Sequence, residues 1–212
     1  INCTFLTIVD LPASLQSLGA GAFNSTLIGA ASFVNGIAWL DGWVLGCDPA
    51  AMNESVVFPD EEFSVQTVGI ADRAFYQCDD KWLTSGWAVT LPNTVKYVGD
   101  YAFYKCKLLN SMSFGTDVVR VGKYAFGYCE LLRNTYFPKE GLEVIDNYAF
   151  QACDRLKVKI TWLDENDMTV SQDGLPTTLK RIGTYAFEGS SYWDQALALV
   201  YVGDWVVGCV NA

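Results

Sequence analysis

The chain has 212 residues, with 14 Lys and Arg against 24 Asp and Glu, seven Cys and no His. This length and a hydrophobic content of 51% predict one or two folded domains with a sizeable core. The absence of His excludes Ser-His-Asp and Cys-His catalysis and His-ligated zinc. The net charge of −10 argues against binding to nucleic acid or to anionic lipid.

A repeat dominates the sequence. The dipeptide Ala-Phe recurs along the chain, with apolar pairs before it and usually a Cys three positions after it. The Phe positions are 23, 75, 103, 126, 150 and 187, and the Cys positions are 78, 106, 129 and 153. The three closest copies are 23 and 24 residues apart, a spacing typical of leucine-rich solenoids.

Each part of the repeat predicts a local structure. The segment Leu-x-x-apolar-x-apolar, as in Leu109, Met112 and Phe114, predicts a short strand with alternate side chains inward. The segment Val-x-x-Val-Gly predicts a second short extended piece, whose Gly we expect to have a positive φ. The segment Tyr-Ala-Phe-x-x-Cys predicts a corner, where the chain turns from one extended piece to the next. There the small Ala lets neighbouring coils approach while the Phe fills the interior. One unit cannot bury its own apolar face, so the units must stack on one another.

In chain order, residues 1–212 predict a single solenoid that starts and ends within a repeat. Its units are a partial one at 1–10, followed by 11–62, 63–90, 91–114, 115–138, 139–174 and 175–212. Both ends match parts of a repeat, so we expect a section of a longer array. Asp41-Gly42 and Gly203-Asp204 each separate two apolar runs, which predicts two β-hairpins inserted into the coils. The apolar stretches 28–47 and 196–212 contain polar interruptions, so this segment predicts no membrane-spanning helix.

A family resemblance rests on these residues. The pattern LPxTLxxIGxYAFxxCxxL, from Leu91 to Leu109 and from Leu175 to Phe187, resembles the BspA-type leucine-rich repeats of bacterial and protozoan surface proteins. The resemblance implies a right-handed, β-rich leucine-rich-repeat solenoid of the α/β type. Its strands would be short and parallel, its corners turns or short helices, and its two hairpins insertions. The resemblance also implies adhesion and host interaction at a cell surface or after secretion.

The outward side chains of the predicted strands form a candidate binding face. Alternation along the strands assigns to this face Thr7 and Asp10, Asn110 and Ser113, Arg133 and Tyr136, and Lys157 and Lys159. Arg133, Lys157 and Lys159 make a basic stripe on an acidic protein, which an acidic partner segment could use. A plain solvated face is the alternative.

All seven Trp lie in insertions or lengthened loops. Exposed Trp suits protein hot spots and sugar stacking, so Trp82, Trp87 and Trp162 are further candidate ligand-binding residues. Alternatively, each Trp folds its insertion back against the solenoid, which we favour for the hairpin Trp at 39, 43 and 205.

The cysteines follow the repeat and lack a CxxC spacing, so they predict neither a zinc site nor a nucleophile. We expect a ladder of small, buried, reduced thiols. The alternative is a disulfide between neighbouring ladder cysteines, or between Cys47 and one of them. The carboxylate-rich runs 60–62, 79–80 and 164–167 predict solvated loops rather than catalytic or calcium sites.

The sequence and the resemblance together predict a non-enzymatic binding or adhesion module, without cofactor or metal. It would contact an extracellular protein of a host, such as a matrix protein, or of a neighbouring cell through a solenoid face. Carbohydrate recognition by the Trp-bearing loops and a structural spacer are the alternatives. We expect no nucleic-acid partner, no membrane insertion by this segment, a monomer, and an extracellular or cell-surface location.

Overall fold

The alternating apolar residues of each repeat form short strands, and equivalent strands of successive repeats pair side by side. The computed structural model describes residues 9–23, 33–34, 36–48, 50, 55–56, 58, 66–78, 86–192, 199–202 and 205–209. In chain order their strands are β1 Phe33–Val34, β2 Ile37–Leu40, β3 Trp43–Cys47, β4 Ser55–Val56, β5 Gly69–Ile70, β6 Trp87–Thr90, β7 Tyr97–Val98, β8 Leu109–Ser113, β9 Arg120–Val121, β10 Asn134–Pro138, β11 Val144–Ile145, β12 Lys157–Leu163, β13 Thr169–Asp173, β14 Arg181–Ile182, β15 Leu199–Val202 and β16 Trp205–Cys209.

Two sheets run along the stack of coils. Sheet A, in the order β1-β2-β3-β5-β7-β9-β11-β14, collects the short strands that precede the corner. Sheet B, in the order β13-β12-β10-β8-β6-β4, collects the longer strands that follow it. From β3 onward in sheet A, and from β4 to β12 in sheet B, neighbouring strands are parallel. The predicted solenoid of stacked coils with parallel strands is therefore confirmed.

Antiparallel pairs occur where the coil pattern is interrupted. β2 pairs with β3, which follows it after Asp41 and Gly42, and β15 pairs with β16. Two further antiparallel pairs were not predicted: β1 with β2, and β12 with β13, which encloses the acidic run 164–167. In its turn the Asp164 Oδ1 atom accepts hydrogen bonds from the amides of Asn166 and Met168 at 2.8 and 3.0 Å. This carboxylate therefore shapes a turn, as the interpretation of a solvated loop requires.

The corners are turns held by hydrogen bonds between coils. In the coil of Phe103, the amides of Ala102, Tyr104 and Cys106 bond within the coil, to the carbonyl three residues earlier. The alternate amides, of Tyr101, Phe103 and Lys105, donate instead to the next coil. Because every second amide donates to the next coil, the corner becomes a third ladder of hydrogen bonds between coils. Almost no helix is present in the described residues.

The predicted positive φ at the repeat glycine is wrong. Gly99, Gly122 and Gly183 have ordinary backbone angles, and the left-handed residues instead lie two before and two after each Phe. Around Phe103 these are Tyr101 and Lys105, with φ of 58° and 59°. The glycines are required by close approach: a Cβ at Gly122 would lie 2.6 Å from the Gly99 carbonyl carbon of the preceding coil. Backbone cannot yield at that distance, so a side chain there would separate the coils.

Inside the coils, the repeat Phe rings form a continuous stack. The ring centroids of successive Phe residues are 4.6, 5.1, 5.1 and 5.4 Å apart, with the rings within 7° of parallel. The stack runs through Phe75, Phe103, Phe126, Phe150 and Phe187, all fully buried. One such ring per coil, each supported by the next, explains why a single unit could not be stable alone.

The ladder cysteines divide into two groups. Cys106, Cys129 and Cys153 are buried thiols outside any disulfide, as predicted, and each donates to the carbonyl of the Phe in the preceding coil at 2.8–3.1 Å. Burial, followed by the adjacent thiols, raises the pKa of Cys129 well above its usual value, so this thiol stays protonated. Cys78 departs from the predicted ladder, because it forms a disulfide with Cys47 of β3. Cys3 lies outside the described residues.

Candidate binding surfaces of the solenoid

The outward surface of sheet B, here called the B face, consists of two rows of side chains. Strand register gives the rows Ala88, Ser111, Asn134, Lys157 and Thr90, Ser113, Tyr136, Lys159, Asp173. Ser113, Tyr136, Lys157 and Lys159 thus lie on the predicted face. Asn110 and Arg133 do not: they immediately precede Ser111 and Asn134, because Leu109 and Met112, three residues apart, both point inward. Thr7 lies outside the described residues, and Asp10 is exposed outside any strand.

Arg133 instead lines a cavity of about 350 Å³ at the beginning of these strands. The other lining residues are Asn110, Leu131, Asn134 and Arg155. Arg155 was missed because it follows its ladder cysteine by two residues, whereas Arg133 follows its own by four. Equivalent repeat positions therefore gave no reason to place both side chains at one cavity.

The tryptophans contribute less surface than predicted. Trp87 is fully buried, with its ring centroid 6.4 Å from that of Phe75, so it is a core residue and not a ligand-binding one. Trp162 is half-buried in β12, and the Lys139 ammonium lies 4.9 Å from its ring centroid. Trp82 lies outside the described residues. Trp43 is buried over Gly69, as favoured for a hairpin Trp that folds back.

The outward surface of sheet A uses its charges internally. The carboxylate of Asp146, which occupies a repeat glycine position, accepts from Arg120 Nε at 2.7 Å and from Arg181 Nη2 at 2.5 Å. Arg120 also reaches Asp100 at 3.1 Å. The side chain of Asp146 is only 12% exposed, so its two cations compensate the loss of hydration. These side chains link the coils containing β9, β11 and β14.

The corner carries an external band of tyrosines, here called the tyrosine band. Its members are Tyr76, Tyr101, Tyr104, Tyr124, Tyr128, Tyr148 and Tyr185. Tyr101, Tyr124 and Tyr148 stack with centroids 5.0 and 4.6 Å apart. The recurring Tyr of Tyr-Ala-Phe was the sequence signal for this band, and the prediction did not use it.

Cations cover parts of the tyrosine band. The Arg73 guanidinium lies 5.4 Å from the ring centroids of both Tyr76 and Tyr101, and Lys105 lies 5.4 Å from that of Tyr104. Burial, followed by the neighbouring phenols, raises the pKa of Tyr104 above its usual value. The ring faces therefore contact one another or a cation, which suits stabilisation of the corner more than stacking on a sugar.

Two further features are absent from the described part of the chain. In the described ranges, no group of three or more His, Cys, Asp or Glu side chains is arranged to hold a metal ion. Nor does that part of the chain contain a helix long and apolar enough to cross a membrane.

The repeating coils, the two parallel ladders and the Phe stack define a leucine-rich-repeat solenoid. Residues 53–167 match the BspA type leucine rich repeat region in six copies, and the chain belongs to this family. A comparison with curated proteins gives no match.

Solved structures of bacterial repeat proteins are similar to the chain. A leucine-rich repeat protein of T. pallidum is 26% identical, with a TM-score of 0.54, over 69% of this chain and 58% of its own. Leucine-rich repeat proteins from Bacteroides ovatus and Eubacterium ventriosum are 20% and 19% identical, with TM-scores of 0.43 and 0.42. These two matches cover 85% and 73% of this chain and 39% and 47% of the other chains. The chain thus spans 58% of the length of the T. pallidum protein.

Proposed function

We propose that the chain is a non-enzymatic binding module of a cell-surface or secreted protein, and that it contacts an extracellular protein through the B face. In this proposal Tyr136, Lys157 and Lys159 contact the partner directly, with Arg133 at the edge of the face. In this proposal the coils wind to the right, and the hairpins at 37–47 and 199–209 are insertions, the first of which extends sheet A and not sheet B. Association of BspA-type repeats with surface proteins supports the location.

The observation that carries the proposal is the difference in charge pairing between surfaces. On sheet A and on the tyrosine band, cations contact carboxylates or rings of the protein itself. On the B face, Lys157 and Lys159 have no ion pair or ring contact with a described residue. Cations without internal partners keep their charge available for a ligand, and extended solenoid faces are common binding surfaces.

The alternative of carbohydrate recognition loses part of its support. Trp87 is buried in the core. Trp162 is the candidate Trp that remains among the described residues, and its ring lies next to the Lys139 ammonium. A structural spacer would need neither the B-face cations nor a partner. Binding measurements separate the three functions.

The test is a binding screen of the chain against immobilised extracellular-matrix proteins and a glycan array. We expect binding to a protein, weakened about tenfold or more in the double variant K157Q/K159Q, because two ligand-facing charges are lost. K96Q is the matched control, since Lys96 is an exposed cation beside sheet A that also lacks an ion pair with a described residue. If the chain binds neither a matrix protein nor a glycan on the array, the structural spacer would be favoured. Glycan binding that is insensitive to K157Q/K159Q would refute the use of the B face.

A further inference from the structure

The cavity beside the B face is built by three successive coils. Asn110 comes from the first coil, Leu131, Arg133 and Asn134 from the second, and Arg155 from the third. Its volume of about 350 Å³ is at the lower end of the roughly 300–1,000 Å³ found for small-ligand pockets. A space of this size suits one side chain of a partner rather than a long polymer.

Backbone hydrogen bonds fix the base of the cavity. The Arg133 amide donates to the Asn110 carbonyl at 2.9 Å, and the Lys157 amide donates to the Arg133 carbonyl at 2.7 Å. The Leu131 amide donates to the Lys107 carbonyl at 3.1 Å. Arg133 therefore extends from a backbone that is bonded on both sides, and a ligand would meet a preformed site instead of a mobile loop.

Unpaired cations are concentrated around this cavity. Within the described residues, the Lys and Arg side chains with neither a carboxylate within 4.0 Å nor a cation–π contact are Lys96, Arg133, Arg155, Lys157 and Lys159. Four of these five line the cavity or occupy the adjoining strand β12. Nearby Lys107, in contrast, pairs with Glu130 at 2.7 Å. Asp173 lies beside Lys159 in the strand register but forms no ion pair with it. On a chain with a net charge of −10, four clustered cations without an ion pair to a described residue indicate an external anionic group.

The donor set favours a carboxylate. Guanidinium groups present two parallel N–H donors that match the two oxygens of a carboxylate, and the amide groups of Asn110 and Asn134 can supply further N–H donors. Long polyanions are disfavoured because the rest of the chain is acidic and repels them. A short acidic stretch avoids most of that repulsion while it still reaches the local cations.

We propose that this cavity receives one Asp or Glu side chain of an acidic segment in the partner protein, between Arg133 and Arg155, while Lys157 and Lys159 contact the flanking acidic residues. The inference rests on the proposed function of the B face, to which it adds the class of partner. It also assigns a role to Arg155, which lies outside the outward rows of that face.

The test uses fluorescence anisotropy with a labelled peptide that contains a run of glutamates, and the same peptide with glutamines as the matched ligand. We expect the chain to bind the glutamate peptide at least tenfold more tightly than the glutamine peptide. R133Q/R155Q should weaken glutamate-peptide binding at least tenfold, and K96Q less than twofold. R133K/R155K keeps both charges but loses the forked donors, so we expect it to weaken binding several-fold.

Two outcomes would overturn the pocket: equal affinity for both peptides, or equal affinity of R133Q/R155Q and the unmodified chain. Tighter Arg-dependent binding of a sulfated oligosaccharide than of the glutamate peptide would overturn the acidic peptide as ligand. If the double variant does not fold, ¹⁵N spectra of the unmodified chain replace it. Added glutamate peptide must then shift the side-chain Nε–Hε signals of Arg133 and Arg155, and unchanged signals refute the pocket.

The pocket and the proposed function can fail separately. If a matrix protein binds through Lys157 and Lys159 but R133Q/R155Q binds it equally well, the pocket is wrong and the B-face function stands. If no matrix protein binds but the glutamate peptide binds in an Arg-dependent manner, the pocket stands and the choice of matrix partners is wrong.

Discussion

Sheet A and sheet B carry the same kinds of outward charge and use them differently. On sheet A, Arg120 and Arg181 converge on the buried carboxylate of Asp146, so their charges hold neighbouring coils together. On sheet B, Lys157 and Lys159 have no such partner among the described residues. The two sheets differ because each cation faces a residue of the adjacent coil, and that residue decides whether an ion pair forms. Changes on sheet A should therefore alter stability, and changes on the B face should alter binding.

The largest expected loss of stability follows removal of the covalent tie to β3 of sheet A. Cys47 and Cys78 are separated by 31 residues in sequence, and closing a loop of that size stabilises a protein by roughly 3–4 kcal/mol in the chain-entropy description. We expect Cys47→Ser to lower the free energy of unfolding by about that amount, measured by urea denaturation. Cys153→Ser is the matched control, because Cys153 is a free thiol and Ser190 occupies the same repeat position. An equal loss of stability in both variants would contradict a stabilising role of the Cys47–Cys78 disulfide.

A second effect on the same side of the solenoid tests the glycine after β9. An added Cβ at Gly122 would meet backbone atoms of Gly99, so Gly122→Ala should cost about 3 kcal/mol through overpacking. At the equivalent Gly19, no described atom lies within 4 Å of the added Cβ. Gly19→Ala should therefore change stability by less than about 0.5 kcal/mol. Thermal melts of both variants make the comparison, and similar melting temperatures would refute close approach as the reason for glycine.

The fold was largely predictable because several copies of the repeat carry the same sequence pattern. Each coil repeats the same apolar spacing, so the inward row and the Phe stack follow from any one copy. The reason for glycine was not predictable, because the approach of Gly122 to Gly99 joins residues 23 apart, and sequence spacing alone gives no distance between coils. Trp87 was misread for a related reason: its polar sequence neighbours suggested a loop, although strand β6 directs the ring into the core.

The candidate site was less predictable than the fold. Ladder cysteines Cys129 and Cys153 are 24 residues apart, whereas the paired strand residues Asn134 and Lys157 are 23 apart. This shift of one residue between coils is invisible to an alignment of repeats. Because of this shift, Arg133 lies off the predicted row, and Arg155 was not recognised as a lining residue of the same cavity. The sequence therefore predicted the positive charge of the site but not the positions of the cations.

The paired charges of sheet A should matter less than its glycine but still measurably. Asp146→Asn removes a mostly buried carboxylate that binds two cations, and we expect a loss of about 2 kcal/mol. Glu143→Gln is the control, because the Glu143–Lys180 pair has side chains 40% and 69% exposed and should contribute less than about 0.5 kcal/mol. Urea denaturation at low salt measures both. Equal losses would mean that the Asp146 cluster contributes no more stability than the exposed Glu143–Lys180 pair.

A substitution beneath the B face should raise stability. Thr135 is fully buried in β10, and its Oγ1 atom has no hydrogen-bond partner in the described part of the chain. The residues beside it in the inward row are Met112 and Val158. Thr135→Val keeps the shape and removes the unpaired hydroxyl, so we expect a gain of about 1 kcal/mol by denaturation, with unchanged binding of the glutamate peptide. A loss of stability would show that the hydroxyl has a partner.

The smallest expected change in stability belongs to the B face itself. Lys157 is exposed and Lys159 half-buried, and neither has a described ion pair, so K157Q/K159Q should change the free energy of unfolding by less than about 0.5 kcal/mol. The same variant should lose partner binding, whereas Asp146→Asn should lose stability and keep binding. This opposite pattern follows only if the two sheets divide structure and recognition between them. A K157Q/K159Q variant that unfolds more easily than Glu143→Gln would mean that the B-face cations are structural, and the division between the two sheets would be wrong.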